Sequence, residues 1–172
     1  GCGYWGPNLV RNFSSLPECH VRAVCDADSE RLAHVKHLYP QVNIFEDPAS
    51  VIDDPAIDAV AIATPVRTHF GLADKALQVG KHVLIEKPMA ASVSECNGLI
   101  GLAEQHNLTL MVGHTFLYSP QVRVIKDIVD SGELGKILYV SSRRLNLGLF
   151  QKDINVAWDL APHDISIILH VL

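Results

Sequence analysis

Short apolar runs alternate with helical stretches over residues 20–114, and this alternation restricts the fold more than any other feature. The runs lie at 20–26, 42–45, 58–64, 82–88 and 108–114. The run at 58–64, DAVAIAT, is almost wholly apolar. Strands that are apolar on both faces are typical of a parallel sheet with helices on each side. The sequence therefore predicts an α/β fold of Rossmann type, with a doubly wound parallel sheet.

A glycine turn opens the chain. In the first residues, GCGYWGPN, Gly1, Gly3 and Gly6 have the G-x-G-x-x-G spacing of a dinucleotide-binding turn. Pro7 comes next, where the first turn of a helix tolerates proline. Glycines let the backbone approach a pyrophosphate, which the N–H groups of a helix N-terminus bind. The predicted cofactor turn comprises Gly1, Gly3, Tyr4, Trp5 and Gly6.

A carboxylate follows this turn at a characteristic distance. Asp26 ends the first apolar run and lies 20 residues after Gly6. In an NAD site, a carboxylate about 20 residues on accepts hydrogen bonds from the ribose hydroxyls. The same charge would repel the 2′-phosphate of NADP, so we expect NAD rather than NADP. The alternative, a plain turn residue at the end of a strand, does not account for the spacing.

Composition excludes several other classes of protein. The net charge of −5 argues against a nucleic-acid or membrane-surface partner, because phosphate binding needs clustered Lys and Arg. No apolar run approaches the roughly 18 residues of a membrane span. The four cysteines form no C-x-x-C pair and have no metal-like spacing from histidine, so we expect no metal site. Free thiols are typical of a cytoplasmic protein.

The pattern changes after residue 117, and we predict a domain boundary there. Residues 1–117 would form the cofactor domain, and 118–172 would begin a second α/β domain. SPQVRVIKDIVDSGELG, at 119–135, predicts a helix with a Ser-Pro start and a Gly stop. A long strand is expected at 136–147, and an apolar helix from 160 to 172.

Several further segments resemble one family of oxidoreductases. AIATPVRTHFGLADKAL, GKHVLIEKPMA, VGHTFLYSPQVRVIKDIVDSGELGKI and WDLAPHDISI occur in the order found in the Gfo/Idh/MocA family, which includes glucose–fructose oxidoreductase and inositol dehydrogenase. Glu86-Lys87-Pro88 matches its characteristic tripeptide, and Asp159 with His163 matches its D-x-x-x-H pair. Singly, each motif is explained equally well as a turn, a helix cap or an interface histidine. Their ordered combination is not.

The resemblance implies roles for these residues. Lys87, Asp159 and His163 would form the catalytic set. Thr64, Pro65, Glu86 and Lys87 would line the nicotinamide end of the cofactor site. Oxidising a secondary alcohol needs a group that takes the hydroxyl proton, and histidine suits this role near neutral pH. We assign the proton transfer to His163, although a coupled lysine and histidine can share it.

The resemblance also suggests substrate contacts, at positions that vary within the family. These are His114, Tyr118, Arg144 and Asn146. His69 is expected to be a structural histidine of a helix. We also expect the Lys87–Pro88 bond to be constrained, and we consider a cis bond there as a minority hypothesis.

The segments GYWGPNLVRNF and SRRLNLGLFQKDINVAWDLAPHD are similar in sequence to one branch of the family, the 3-dehydrogenases of UDP-N-acetylglucosamine and its uronic acid. That likeness implies oxidation of a ring C3 hydroxyl in the synthesis of surface sugars. Two alternatives stay open. One is another sugar or cyclitol dehydrogenase on the same scaffold, and the other is a non-catalytic NAD-binding sensor.

A strand normally precedes a glycine turn of this kind, and the second domain of the family is a larger sheet. We therefore expect the 172 residues to be a fragment that lacks its first strand and most of its second domain. Alone it would be aggregation-prone and without dehydrogenase activity. We expect the parent protein to be a homo-oligomer that associates through the second domain.

Overall fold

The computed structural model describes residues 1–145 and 154–172. They form two compact units, Gly1–Val112 and Gly113–Leu172. The division falls close to the boundary predicted after residue 117, and its meaning as the limit of a cofactor domain stays a prediction. The described strands all lie in the first unit.

Five short strands of the first unit alternate with helices. The strands are β1 (Ala23–Cys25), β2 (Asn43–Phe45), β3 (Ala59–Ile62), β4 (His82–Ile85) and β5 (Leu110–Val112). β1 pairs with β2, and β4 pairs with both β3 and β5, in each case parallel. Parallel neighbours require crossover connections, which the helices supply. The prediction of a Rossmann-type α/β fold is thus confirmed.

Helices follow or precede each strand of this unit, and capping side chains mark where some of them begin. They are α1 (Gly6–Ser14), α2 (Ser29–Leu38), α3 (Ala49–Ile52), α4 (His69–Gln78) and α5 (Val93–Gln105). At the start of α2, Asp28 accepts hydrogen bonds from the N–H groups of Glu30 and Arg31. At the start of α5, Ser92 accepts one from Glu95 N–H. These side chains satisfy N–H groups that have no partner within the helix.

Each sheet has its own apolar core. The core of the three-stranded sheet comprises Ile62, Ala73, Ala76, Leu77, Val83, Ile85, Leu99 and Ala103. The core of the two-stranded sheet comprises Cys2, Val10, Val24, Leu32, Val35 and Val42. The second core includes Cys2 from the glycine turn, so apolar packing holds that turn against β1 and α2.

The described strands form two sheets rather than one, because β1 and β3 are not paired with each other. In the order 3-2-1-4-5-6, the strand between these two is the one that leads into the glycine turn. Residues 1–22 form no strand in the structure. Instead, the start of the turn lies between the two sheets: Gly1 is beside Ala63, after β3, and Cys2 N–H donates to Asp26, after β1.

The described part of the second unit contains two α-helices, α6 (Pro120–Asp130) and α7 (Val156–Val171). A 3-10 turn at Thr115–Tyr118 contacts both of them. Asn155 begins α7 by accepting a hydrogen bond from Trp158 N–H, so this helix starts before the predicted residue 160. No helix in the described parts of the chain has the length and apolar character of a membrane span.

The strand predicted at 136–147 is a second error. Residues 136–145 are described and form no strand, and residues 146 and 147 lie outside the described ranges. The side chains of Leu138 and Tyr139 are 82% and 85% exposed. A strand forms where a neighbour supplies ladder hydrogen bonds, and no other described segment of this unit is a strand.

Candidate functional site

The glycine turn is held together by close backbone contacts. A Cβ atom at Gly6 would lie 2.1 Å from Gly1 O, and one at Gly1 would lie 2.7 Å from Ala63 O. Both neighbours are backbone atoms, which cannot rotate away. A Cβ at Gly3 would meet only the Nη1 atom of Arg31, at 3.9 Å. Gly1 and Gly6 are therefore required for packing, whereas the space beside Gly3 is open.

Asp26 lies at the same edge of the unit as this turn, as the spacing predicted. Its Oδ2 atom accepts a hydrogen bond from Cys2 N–H at 2.5 Å, and its Oδ1 atom accepts one from Asp28 N–H at 2.9 Å. The Nη1 atom of Arg31 lies 3.9 Å from Oδ2. Burial alone would raise the pKa of Asp26, but these hydrogen bonds and Arg31 outweigh it, so the pKa is lowered. The carboxylate is thus stabilised in its charged form.

Two aromatic side chains project from the same turn. The rings of Tyr4 and Trp5 make an edge-to-face contact, with centroids 5.3 Å apart, and both are exposed. Trp5 is also the N-cap position of α1, where no side chain bonds to the first N–H groups. The N-terminus of α1 thereby keeps donors that an anion can use.

Two chain corners follow β3 and β4. Thr64-Pro65 lies after β3, and Glu86-Lys87-Pro88 lies after β4, so parallel pairing brings both corners to one edge. Glu86 N–H donates to Ile62 O at 2.9 Å just beyond the paired residues. The Lys87–Pro88 bond is cis, which confirms the minority hypothesis.

Glu86 occupies a low-polarity position at this corner. Burial raises the pKa of its carboxyl group, and this effect exceeds the opposing influence of Lys87 and His69. On the neighbouring corner, Thr68 Oγ1 donates to Pro65 O, with a donor–acceptor distance of 2.7 Å.

In the second unit, Asp159 and His163 both lie on α7, one turn apart. The ring of His163 contacts Phe116 edge to face, with centroids 4.8 Å apart. The guanidinium of Arg144 lies over the ring of Phe116, 4.8 Å from its centroid. Asp164 fixes this arginine through a 2.8 Å contact between its Oδ2 atom and Nε. A short chain of contacts thus leads from Asp164 to His163.

Residues 1–114 match the oxidoreductase family with an NAD-binding Rossmann fold, GFO_IDH_MocA. The chain belongs to this family.

Individual relatives are more distant. The chain is 30% identical to the UDP-N-acetylglucosamine 3-dehydrogenase of Acidithiobacillus ferrooxidans, over 98% of this chain and 51% of that protein. It is 31% identical to inositol 2-dehydrogenase 2 of Saccharopolyspora erythraea, over 86% of this chain and 44% of that one. The chain spans about half the length of the curated relatives it matches, for example 52% of the oxidoreductase YrbE of Bacillus subtilis.

Solved structures of the family have the same fold. An NAD-binding protein from Listeria innocua superposes with a TM-score of 0.90 at 25% identity, over 100% of this chain and 53% of that one. A myo-inositol 2-dehydrogenase from Lactobacillus plantarum gives a TM-score of 0.76 at 28% identity, over 81% of this chain and 42% of that one.

The first unit of this Gfo/Idh/MocA chain fits the NAD of its family. Open space beside Gly3 allows a pyrophosphate to approach the backbone, and the uncapped start of α1 supplies N–H donors. The charged carboxylate of Asp26 adjoins the same turn, where the hydroxyls of the adenosine ribose would lie. No group of three or more metal-ligating side chains occurs among the described residues.

The predicted catalytic residues are divided between the units: Lys87 lies in the first, and Asp159 and His163 lie in the second. Their roles, like those of the cofactor residues, stay predictions. Of the predicted substrate contacts, Arg144 bonds to Asp164 and covers Phe116, as described above. His114 is half-buried, and burial lowers the pKa of its ring.

Tyr118 is exposed, and Asn146 lies outside the described residues. Sequence reasoning did not identify Phe116 and Asp164 as neighbours of the predicted site. The sequence does hold one signal: Asp164 follows His163 directly, and an acidic residue there is available to an arginine. Sequence reasoning also did not predict that both ring nitrogens of His69 lie within hydrogen-bond distance of backbone carbonyl oxygens.

Proposed function

We propose that the whole protein is an NAD-dependent oxidoreductase that converts a secondary hydroxyl of a sugar into a ketone. The observation that carries the proposal is the contact between the glycine turn and Asp26, made by Cys2 N–H at 2.5 Å. This contact supports the proposal, because the pyrophosphate and the ribose of an NAD would need these two features at one edge of the first unit. Membership of the Gfo/Idh/MocA family supports the same cofactor.

The charge at Asp26 favours NAD over NADP in this proposal. Its lowered pKa keeps the carboxylate ionised near neutral pH. An ionised carboxylate accepts hydrogen bonds from ribose hydroxyls and repels a 2′-phosphate. Arg31, whose Nη1 atom lies 3.9 Å from Oδ2, partly offsets this repulsion.

The reaction moves a hydride and a proton in separate directions. When bound, NAD⁺ would supply the acceptor for the hydride that leaves the carbinol carbon. His163 takes the proton of the hydroxyl group, so that the C–O bond becomes a carbonyl. Lys87 places a positive charge beside the oxygen and stabilises the negative charge that develops there. Asp159, one helical turn before His163, orients the imidazole or the substrate.

For the substrate we propose a UDP-linked N-acetylated hexose or hexuronate, oxidised at C3. The 30% identity to a UDP-N-acetylglucosamine 3-dehydrogenase over nearly the whole chain supports this choice. The 31% identity to an inositol 2-dehydrogenase supports the alternative of a cyclitol or another free sugar. A non-catalytic sensor is the other alternative, and the combination of Lys87, Asp159 and His163 argues against it.

The test is an assay of the whole protein with NAD⁺ and a panel of UDP-sugars, free sugars and inositols, followed by NADH absorbance. We expect His163→Ala and Lys87→Met each to lower turnover by roughly 10²–10⁴-fold, with NAD affinity nearly unchanged. His37→Gln, at an exposed position of α2, is the control and should retain full turnover. Turnover of inositols alone would replace the UDP-sugar proposal, and NAD binding without any turnover would favour the sensor.

A further inference from the structure

His69 connects the two corners that follow β3 and β4. The residue begins α4, and its side chain is 1% exposed. Its Nδ1 atom lies 2.9 Å from Pro88 O, and its Nε2 atom lies 2.8 Å from Thr64 O. One side chain therefore contacts the backbone of both corners that line the proposed nicotinamide end of the site.

The position of this link matters because the strand pairing ends before it. The β3–β4 register ends at Ile62 and Ile85, and the corners continue beyond the ladder. Residues 64 and 88 are joined through the imidazole ring rather than through strand hydrogen bonds. Lys87, whose side chain we assign to the substrate oxygen, precedes one of the bonded carbonyls by a single residue.

The hydrogen-bonding capacity of the ring decides which form fits this place. A backbone carbonyl oxygen only accepts hydrogen bonds, and both partners of His69 are such oxygens. A neutral imidazole has one N–H group, whereas an imidazolium has two. The neutral ring would direct a lone pair at one carbonyl oxygen across less than 3 Å in a buried place. Only the doubly protonated ring satisfies both contacts.

We propose that His69 is a positioning residue that, as an imidazolium, donates one N–H to each corner and so fixes Lys87 and Thr64 relative to each other. The inference rests on the proposed function for its catalytic consequence, but not for its structural part. Glu86, on the corner after β4, is a charged group near the ring. The carboxyl of Glu86 senses the positive ring, which opposes the effect of burial on that group.

The kinetic consequence follows from distance to the chemistry. Loss of one N–H would let one corner move, and a misplacement of about 1 Å at a reacting group costs roughly 10²-fold in rate. His69 makes its hydrogen bonds to Pro88 O and Thr64 O, whereas Asp26, at the adenine end of the site, is held by Cys2, Asp28 and Arg31. Turnover should therefore fall while affinity for the adenosine half of the cofactor is retained.

Two variants each keep one of the two donors. The amide of His69→Asn can take the place of Nδ1 and reach Pro88 O, and that of His69→Gln can take the place of Nε2 and reach Thr64 O. In the whole protein we expect either variant to lower kcat by about 10- to 100-fold. The dissociation constant for ADP-ribose, which lacks nicotinamide, should change by less than about twofold, and His37→Gln should match the wild type.

A second measurement does not depend on turnover. In the cofactor-free wild type labelled with ¹⁵N-histidine, we expect a ring with protons on both nitrogens. That signal should be absent from His69→Gln and present in His37→Gln. A single ring proton on His69 would overturn the proposal, whether or not the protein oxidises a sugar.

The kinetic outcomes separate the two proposals. Wild-type kcat in both His69 variants would overturn the positioning role. Loss of ADP-ribose binding in step with turnover would also overturn it, since a general structural defect would then account for the result. A wild-type protein that oxidises no member of the panel would refute the proposed function, and the NMR signal would then decide the structural part alone.

Discussion

Replacing the third glycine of the turn should damage the fold itself. A Cβ atom at Gly6 would lie 2.1 Å from Gly1 O, whereas ordinary van der Waals contact begins at 3.4 Å. Because the opposing atom is backbone, the turn must move away from α1. Overpacking of this kind typically costs about 1–3 kcal/mol. In a domain of 150–250 residues, each kcal/mol lowers Tm by roughly 2–4 °C.

Gly3→Ala is the matched comparison within the same motif. A Cβ there would lie 3.9 Å from Arg31 Nη1 and touch no other atom within 4 Å, so the fold should tolerate it. The methyl group would occupy the space through which a pyrophosphate approaches the backbone. We therefore expect a Tm near that of the wild type without cofactor, and weaker NAD binding. Gly101→Ala, in α5 with open space around it, controls for the addition of a methyl group.

The assay is thermal melting of the whole protein with and without NAD. Ligand at 100 times its dissociation constant stabilises a protein by about 2.7 kcal/mol. The wild type and Gly101→Ala should gain this stabilisation, whereas Gly3→Ala should lose most of it. Gly6→Ala should melt lower even without NAD. An unchanged Tm and NAD response in Gly6→Ala, or a greater loss of Tm in Gly3→Ala, would refute the reasoning.

Two further predictions concern buried groups. Burial raises the pKa of Glu86, so ionisation of this carboxyl group destabilises the fold as pH rises through that pKa. Glu86→Gln should therefore raise Tm at neutral pH relative to the wild type, with a smaller gain near pH 4. Equal gains in Tm at both pH values would contradict this prediction. Lys81 is 4% exposed and donates hydrogen bonds to Asp54 O and Ile57 O. Lys81→Met should therefore lower the free energy of unfolding in urea by roughly 1–3 kcal/mol without changing NAD affinity. An unchanged midpoint of urea unfolding would argue against this prediction.

Local signals at the helix ends explain why the alternation of strands and helices could be predicted from the sequence. Asp28 and Ser92 mark the starts of α2 and α5 by type and position, and Gly80, with φ of +81°, follows the end of α4. These features depend on neighbours within a few residues, which a single sequence displays. The placement of Asp26 beside the glycine turn also follows, because motif spacing and parallel topology together determine it.

Contacts between distant residues explain what the sequence did not predict. A strand at 136–147 was expected from the residue pattern, but strand formation depends on a partner that the pattern does not reveal. The engagement of Arg144 by Asp164 joins residues 20 apart, and the two contacts of His69 span 5 and 19 residues. Such distances have no periodic signature, so only the folded chain shows them.

The location of the glycine turn between the two sheets has a consequence for folding cooperativity. The turn bonds to Asp26 at the end of β1 and packs on Ala63 beyond β3, although the two strands share no ladder. A dinucleotide on this turn would depend on both sheets at once, so opening either one would release it. By linkage, the ligand makes the two sheets open together. The cofactor would then serve as a part of the fold as well as a reactant, because it would join the two sheets into one cooperative unit.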